Sequence, residues 1–133
     1  MRTQRLILVC LCTAVQLAGG LLSGCGPRGL ELDAENDGGS ATMQVGGTLT
    51  LRLQSSPTTG YGWEFVGLEE QDVLTLTERT FKSDSMLLGA GGVDTFRLVA
   101  AAAGEADFEL VYRRAWEPDE PPLKTFTFHI TAR

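Results

Sequence analysis

The feature that most constrains this chain is a period-two alternation of apolar and polar residues, running from Leu30 to the C-terminus and interrupted at short intervals by Gly, Pro, Asn or Asp. Successive side chains of a strand point to opposite faces, so such a pattern buries one face of a sheet and leaves the other in water. In Thr48 to Leu53, the residues Leu49, Leu51 and Leu53 share one face and Thr48, Thr50 and Arg52 the other. The clearest cases are near the end of the chain. There Ala106, Phe108, Leu110 and Tyr112 alternate with Glu105, Asp107, Glu109 and Val111, and Phe126, Phe128 and Ile130 alternate with Thr125, Thr127, His129 and Thr131. No stretch beyond residue 30 sustains a helical apolar period, and Ala100 to Ala103 is short and stops at Gly104. The pattern therefore predicts an all-β domain, an antiparallel sandwich or barrel.

The other strands are weaker in outline. Leu30 to Ala34 and Ala41 to Val45 are expected to pair around Asn36-Asp37-Gly38-Gly39, whose residues tolerate the positive φ of tight turns. Trp63 to Leu68 and Val73 to Phe81 read as two more. Val93 to Ala100 is another, with Val93, Phe96 and Leu98 facing inward; the break in spacing from 93 to 96 calls for a bulge or a later strand start. A length of 133 residues fits one such domain.

The first residues have a different character. Arg2 and Arg5 precede the apolar run Leu6 to Leu11, and small residues lead to Cys25. This is the pattern of a secretory signal peptide, too short for a spanning helix, which needs about 20 apolar residues. Leu22-Ser23-Gly24-Cys25 resembles the bacterial lipobox, which implies a signal peptide over 1–24, a diacylglyceryl group on Cys25 as membrane anchor, a polar tether over 25–29 and a domain over 30–133. The expected location is the bacterial cell envelope, with the outer membrane favoured, where the cell has one, because Gly26, not Asp, follows the cysteine. Cys10 and Cys12 depart with the leader, so no disulfide supports the exported domain. Loss of Arg2 and Arg5 leaves 9 of the 11 basic residues against 17 acidic ones, a net charge of −8. Such a surface argues against nucleic acid as a partner and against broad electrostatic contact with a bilayer.

Catalysis has little to work with. The exported chain has a single histidine, His129, at an outward strand position, and no cysteine beyond the anchor, so a nucleophile–base triad or a His/Cys metal site is excluded. No enzyme activity, cofactor or metal is expected. Three connections are instead longer or stranger than a sandwich requires. Ser55 to Trp63 combines Pro57, Thr58, Thr59, Gly60, Tyr61 and Gly62. Composition alone is satisfied by a rigid turn that sends Tyr61 and Trp63 into the core. Ser83 to Gly92 ends in Gly89-Ala90-Gly91-Gly92 and reads by itself as a flexible hairpin tip; a phosphate cradle would want a following helix and a basic residue, and it has neither. Arg113 to Pro122 places Trp116 among charges and prolines, which favours an exposed hot spot over a lid on the core.

Taken together, Ser56-Pro57-Thr58-Thr59-Gly60-Tyr61-Gly62-Trp63, Gly89-Ala90-Gly91-Gly92 and Arg114-Ala115-Trp116 resemble, in order and spacing, the three motifs of the chagasin family of cysteine-protease inhibitors. Ser56 stands where that family has Asn, and Ala115 where it has Pro. The resemblance implies an immunoglobulin-like β-sandwich with all three loops at one end, acting as a monomer on a papain-family cysteine protease. By similarity, Thr58 and Thr59 approach the catalytic Cys and His of the protease, the backbone of Gly89 to Gly92 lies along the substrate side of its cleft, and Arg114 and Trp116 pack on the other side. Pro57, Gly60 and Tyr61 complete the expected contact set. The competing reading is a non-inhibitory, immunoglobulin-like binding lipoprotein of the envelope.

Overall fold

The computed structural model describes residues 29–133, so Cys25, most of the tether and the segment read as a leader lie outside the described residues. Among the described residues, eight strands form two four-stranded sheets. The first contains β1 (Leu30–Asp33), β3 (Thr48–Ser55), β6 (Gly92–Ala100) and β5 (Leu74–Ser83), in the order β1-β3-β6-β5. The second contains β2 (Gly39–Met43), β8 (Lys124–Ala132), β7 (Gly104–Arg114) and β4 (Tyr61–Val66), in the order β2-β8-β7-β4.

The inward residues are those the alternation selects. Leu49, Leu51, Leu53, Phe96 and Leu98 from one sheet meet Phe108, Leu110, Phe126 and Ile130 from the other, and all are essentially sealed from water. Phe65 of β4 meets Phe96 of β6 edge-on with ring centroids 5.3 Å apart, which joins the two layers directly. Phe108 lies 6.1 Å from Phe126 and 6.0 Å from Phe128, within the range where aromatic pairs add to simple area burial. This is an immunoglobulin-like sandwich.

Its sheets are mixed rather than purely antiparallel: β1 runs parallel to β3, and β2 parallel to β8. The expected hairpin of Leu30–Ala34 with Ala41–Val45 does not form, because the two strands belong to different sheets. Between them Ala34–Asn36 makes one 3-10 turn, started by Asp33, whose carboxylate accepts from Glu35 N at 2.9 Å. Asp37 and Gly38 then bond to the main chain of Thr127, delivering the chain to β8. Strand alternation specifies faces and leaves partners open, which is why this crossing was invisible in the sequence.

β6 also differs from expectation. It needs no bulge: the inward series is Gly92, Asp94, Phe96, Leu98 and Ala100, and Val93 faces the other way. The irregularity lies in the neighbouring strand, where the β5 register shifts between Leu76 and Glu78. Asp94 is 3% exposed, and its carboxylate is met at 3.4 Å by Arg79, whose guanidinium lies 5.0 Å from the Phe96 ring centroid. A charge at an inward position needs such a partner.

Register brings three connections to one end. Ser55 pairs with Gly92 and Gly92 with Ser83, which places the start of the β3–β4 loop beside both ends of the β5–β6 loop. Tyr61 pairs with Arg114 and Tyr112 with Lys124, which places the other end of the first loop beside the β7–β8 loop.

Candidate functional site

Loop 1 (residues 56–60) is one tight turn. Pro57–Thr59 forms a single 3-10 turn with Pro57 at its first position, where the fixed φ is already suitable. Thr59 N and Gly60 N donate to Ser56 O and Pro57 O, each at 3.0 Å, and the Thr59 hydroxyl donates to Ser56 O at 2.6 Å. The Ser56 hydroxyl makes no capping bond, so Thr59 supplies the side-chain support of this turn. Gly60 ends it at φ +82°, a left-handed conformation open to glycine. Thr58 and Thr59 stand exposed at the crest. Beyond them Trp63 is buried and its indole donates to Gln54 O at 2.9 Å, while Tyr61 is half-buried.

Loop 2 (residues 84–91) is more ordered than a glycine-rich tip suggests. Asp84 N donates to Gly91 O at 2.9 Å and closes its neck; Ala90 N donates to Leu87 O at 3.2 Å around Gly89 at φ +81°. The Ser85 hydroxyl accepts from Leu87 N at 3.1 Å. These bonds hold Met86, Leu87 and Leu88 outward, all strongly exposed. Gly91 sits against loop 1, with the space for a Cβ only 3.2 Å from Ser56 Oγ. Gly92, the last member of the expected loop 2 contact set, lies inside the sheet. It is buried in β6, paired to Ser55 on one side and Ser83 on the other, and Lys82 O and the Phe81 ring fill the place of its Cβ. The exposed backbone of this loop therefore ends at Gly91.

Loop 3 spans residues 115–123, because Arg113 and Arg114, read as loop residues, are the last two of β7. Arg113 is tied to Glu64 across the strands at 2.8 Å. Arg114 connects the loops: its Nε donates to Thr59 O at 3.3 Å, its Nη1 lies 3.5 Å from the Glu117 carboxylate, and its guanidinium is 4.6 Å from the Tyr61 ring centroid and 5.9 Å from that of Trp116. Trp116 is 66% exposed, and its six-membered ring covers Gly60 so closely that a Cβ there would fall on it. Trp116 is thus neither a lid on the core nor a free surface residue; it is the roof of loop 1.

Tyr112 stands in the alternation of β7 as one more inward residue. It touches both loops 1 and 3, and nothing in its alternating position marks it out.

Such an arrangement, loops 1 and 3 braced against each other with the neck of loop 2 beside them at one end of a sandwich, defines a domain that presents a preorganised binding edge. The sequence matches the Chagasin family peptidase inhibitor I42 over residues 42–130. It is 34% identical over 101 residues to chagasin of Trypanosoma cruzi, covering 73% of this chain and 92% of that protein. The cysteine protease inhibitor EhICP2 of Entamoeba histolytica shares the fold with a TM-score of 0.67 at 23% identity, over 81% of this chain and 100% of that one. PbICP-C, solved in complex with falcipain-2, shares it with a TM-score of 0.55 at 16% identity, over 81% and 93% of the two chains. The chain belongs to the chagasin family of peptidase inhibitors, and is an inhibitor of cysteine proteases rather than an enzyme.

Proposed function

We propose that the protein blocks papain-type cysteine proteases reversibly, seating loops 1, 2 and 3 together in the active-site cleft. The observation that carries this reading is the bracing of Trp116 over Gly60 by Arg114, which makes two loops a single surface before any partner arrives. Loops already held in their bound shape lose little freedom on docking, so more of the contact energy becomes affinity. Thr58 and Thr59 form the crest that enters beside the catalytic Cys and His. The tight turn around Thr59 holds its main chain as a closed 3-10 turn, unlike the extended strand that a protease cleaves. Loop 2, with Gly89, Ala90 and Gly91, lies along the substrate side. Trp116, steadied by Arg114, flanks the other side. PbICP-C, of the same fold, is bound to falcipain-2, which supports a protease as partner.

The test is titration of papain with the purified protein and a fluorogenic substrate. Tight inhibition is expected. Thr58→Ala/Thr59→Ala should weaken it about tenfold, the order of one or two interface hydrogen bonds. Failure of the folded wild-type protein to inhibit at micromolar concentration would overturn the reading in favour of a non-inhibitory binding module.

The export signal and the cysteine of the lipobox-like segment lead us to place the domain on the bacterial envelope through acylated Cys25, with residues 26–29 as a short tether and the domain itself monomeric in water. Cys25→Ala is expected to release the protein from the membrane fraction and to abolish incorporation of labelled fatty acid. Retention of both in the variant would exclude this anchor.

A further inference from the structure

The inhibitory loops rest on a residue that none of the sequence motifs contains. Tyr112 lies on β7, buried, with its hydroxyl pointing across the sandwich to the other sheet, where Ser56 N donates to it at 2.9 Å. Ser56 is the first residue past the end of β3. Its partner strand β6 begins at Gly92, opposite Ser55, so the ladder offers Ser56 N nothing further. The hydroxyl thus takes the first main-chain donor that the sheet leaves over, at the point where the chain departs for loop 1.

The ring of the same tyrosine receives the chain as it returns. Tyr61 stacks on it with centroids 5.5 Å apart and Trp63 lies 5.0 Å away, and these two residues are the first and third of β4. Both feet of loop 1, one in each sheet, therefore stand on one side chain. Loop 3 uses it as well: Leu123 N donates to Tyr112 O at 2.9 Å, closing the neck of that loop, and Lys124 Nζ lies 5.6 Å from the ring centroid.

We infer that Tyr112 is the positioning residue of the inhibitory surface, and that its hydroxyl sets the height and angle at which Thr58 and Thr59 are presented, although Tyr112 itself touches no protease. The inference rests on the proposed mode of inhibition for its effect on affinity, but not for its effect on the loop. Loss of the hydroxyl leaves Ser56 N without its partner in a half-buried place, and the economical response is for Ser56 to move toward water and carry the turn with it.

The experiment is Tyr112→Phe, which keeps the ring and its stacking and removes one oxygen. Amide hydrogen exchange read by mass spectrometry on the free protein is expected to quicken in the peptide covering Ser56 to Gly60 and to stay unchanged in β6 and β8. The inhibition constant for papain is expected to rise about tenfold, ~1.4 kcal/mol, with the melting temperature moved by only a few degrees. In the background of Thr58→Ala/Thr59→Ala, the same substitution should have much less effect on inhibition, because the two act through one loop. Unchanged exchange in the loop 1 peptide overturns the inference whether or not papain is inhibited. So does a rise in the inhibition constant that is fully additive with the threonine changes. A wild-type protein that fails to inhibit papain bears on the proposed function alone, and the exchange comparison still decides the role of the hydroxyl.

Discussion

Gly60→Ala is expected to reduce inhibition at least ~100-fold while leaving a folded sandwich. Two independent effects act at this position. Gly60 has φ +82°, and a left-handed residue with a Cβ is disfavoured by roughly 1 kcal/mol or more. The larger effect is steric. The new methyl group would occupy the volume of the Trp116 ring, so either the turn opens or the tryptophan leaves, and both dismantle the surface. Loop 1 sits at the end of the domain and its turn buries none of its own residues, so the sandwich should stay folded with the melting temperature lowered by only about 4–8 °C. Inhibition assays beside thermal unfolding distinguish the cases. Normal inhibition by the variant would show that Trp116 and Gly60 are apart when the inhibitor is at work, and the braced-loop mechanism would fall.

Trp116→Ala is the second large effect. A tryptophan that is two-thirds exposed in the free protein and loses water on docking has the character of a hot spot, for which truncation costs about 2 kcal/mol or more, at least ~30-fold in affinity. Folding stability should be nearly unchanged, since little of the side chain is shielded by its own domain. The two variants also make a cycle. Once Trp116 is gone, Gly60→Ala no longer meets a ring, and only the backbone preference should remain of its effect. Equal effects of Gly60→Ala in both backgrounds would mean that the contact between these residues has no part in binding.

Much of this arrangement was legible in the sequence. Leu49, Leu51 and Leu53, and the inward residues of β7 and β8, obey the alternation because each has one face on the core and one in water. The three loops were legible for a different reason: Pro57, Gly60, Gly89 and Trp116 are residue types that ordinary connections do not demand together. Pairing was not legible. The β1–β2 crossing depends on a capped turn at Asp33 and on bonds from Asp37 and Gly38 to Thr127, about ninety residues away, which no local pattern encodes. The alternation puts Val93 inward in place of Asp94 because a buried carboxylate looks polar in any pattern, and its partner Arg79 comes from another strand. The Arg-x-Trp motif draws attention to Arg114 but does not encode its part in the free protein, where its contacts to Thr59, Glu117 and two aromatic rings make it an internal brace of the surface.

Loop 2 differs from its neighbours in how it is attached, and the difference bears on how such a surface can be altered. Its neck is a single hairpin of one sheet, closed by Asp84 N on Gly91 O, and its outer side chains lean on no other part of the domain. Loop 1 spans both sheets and is held at each foot; loop 3 is knitted into it through Arg114. Residues 85–90 can therefore be exchanged or lengthened as a cassette, since doubling a loop costs only ~0.6 kcal/mol in closure entropy, whereas a graft into loop 1 must reproduce its footing in two layers at once. Retargeting toward a different cleft has one inexpensive place to start, and it is the apolar crest at Met86, Leu87 and Leu88.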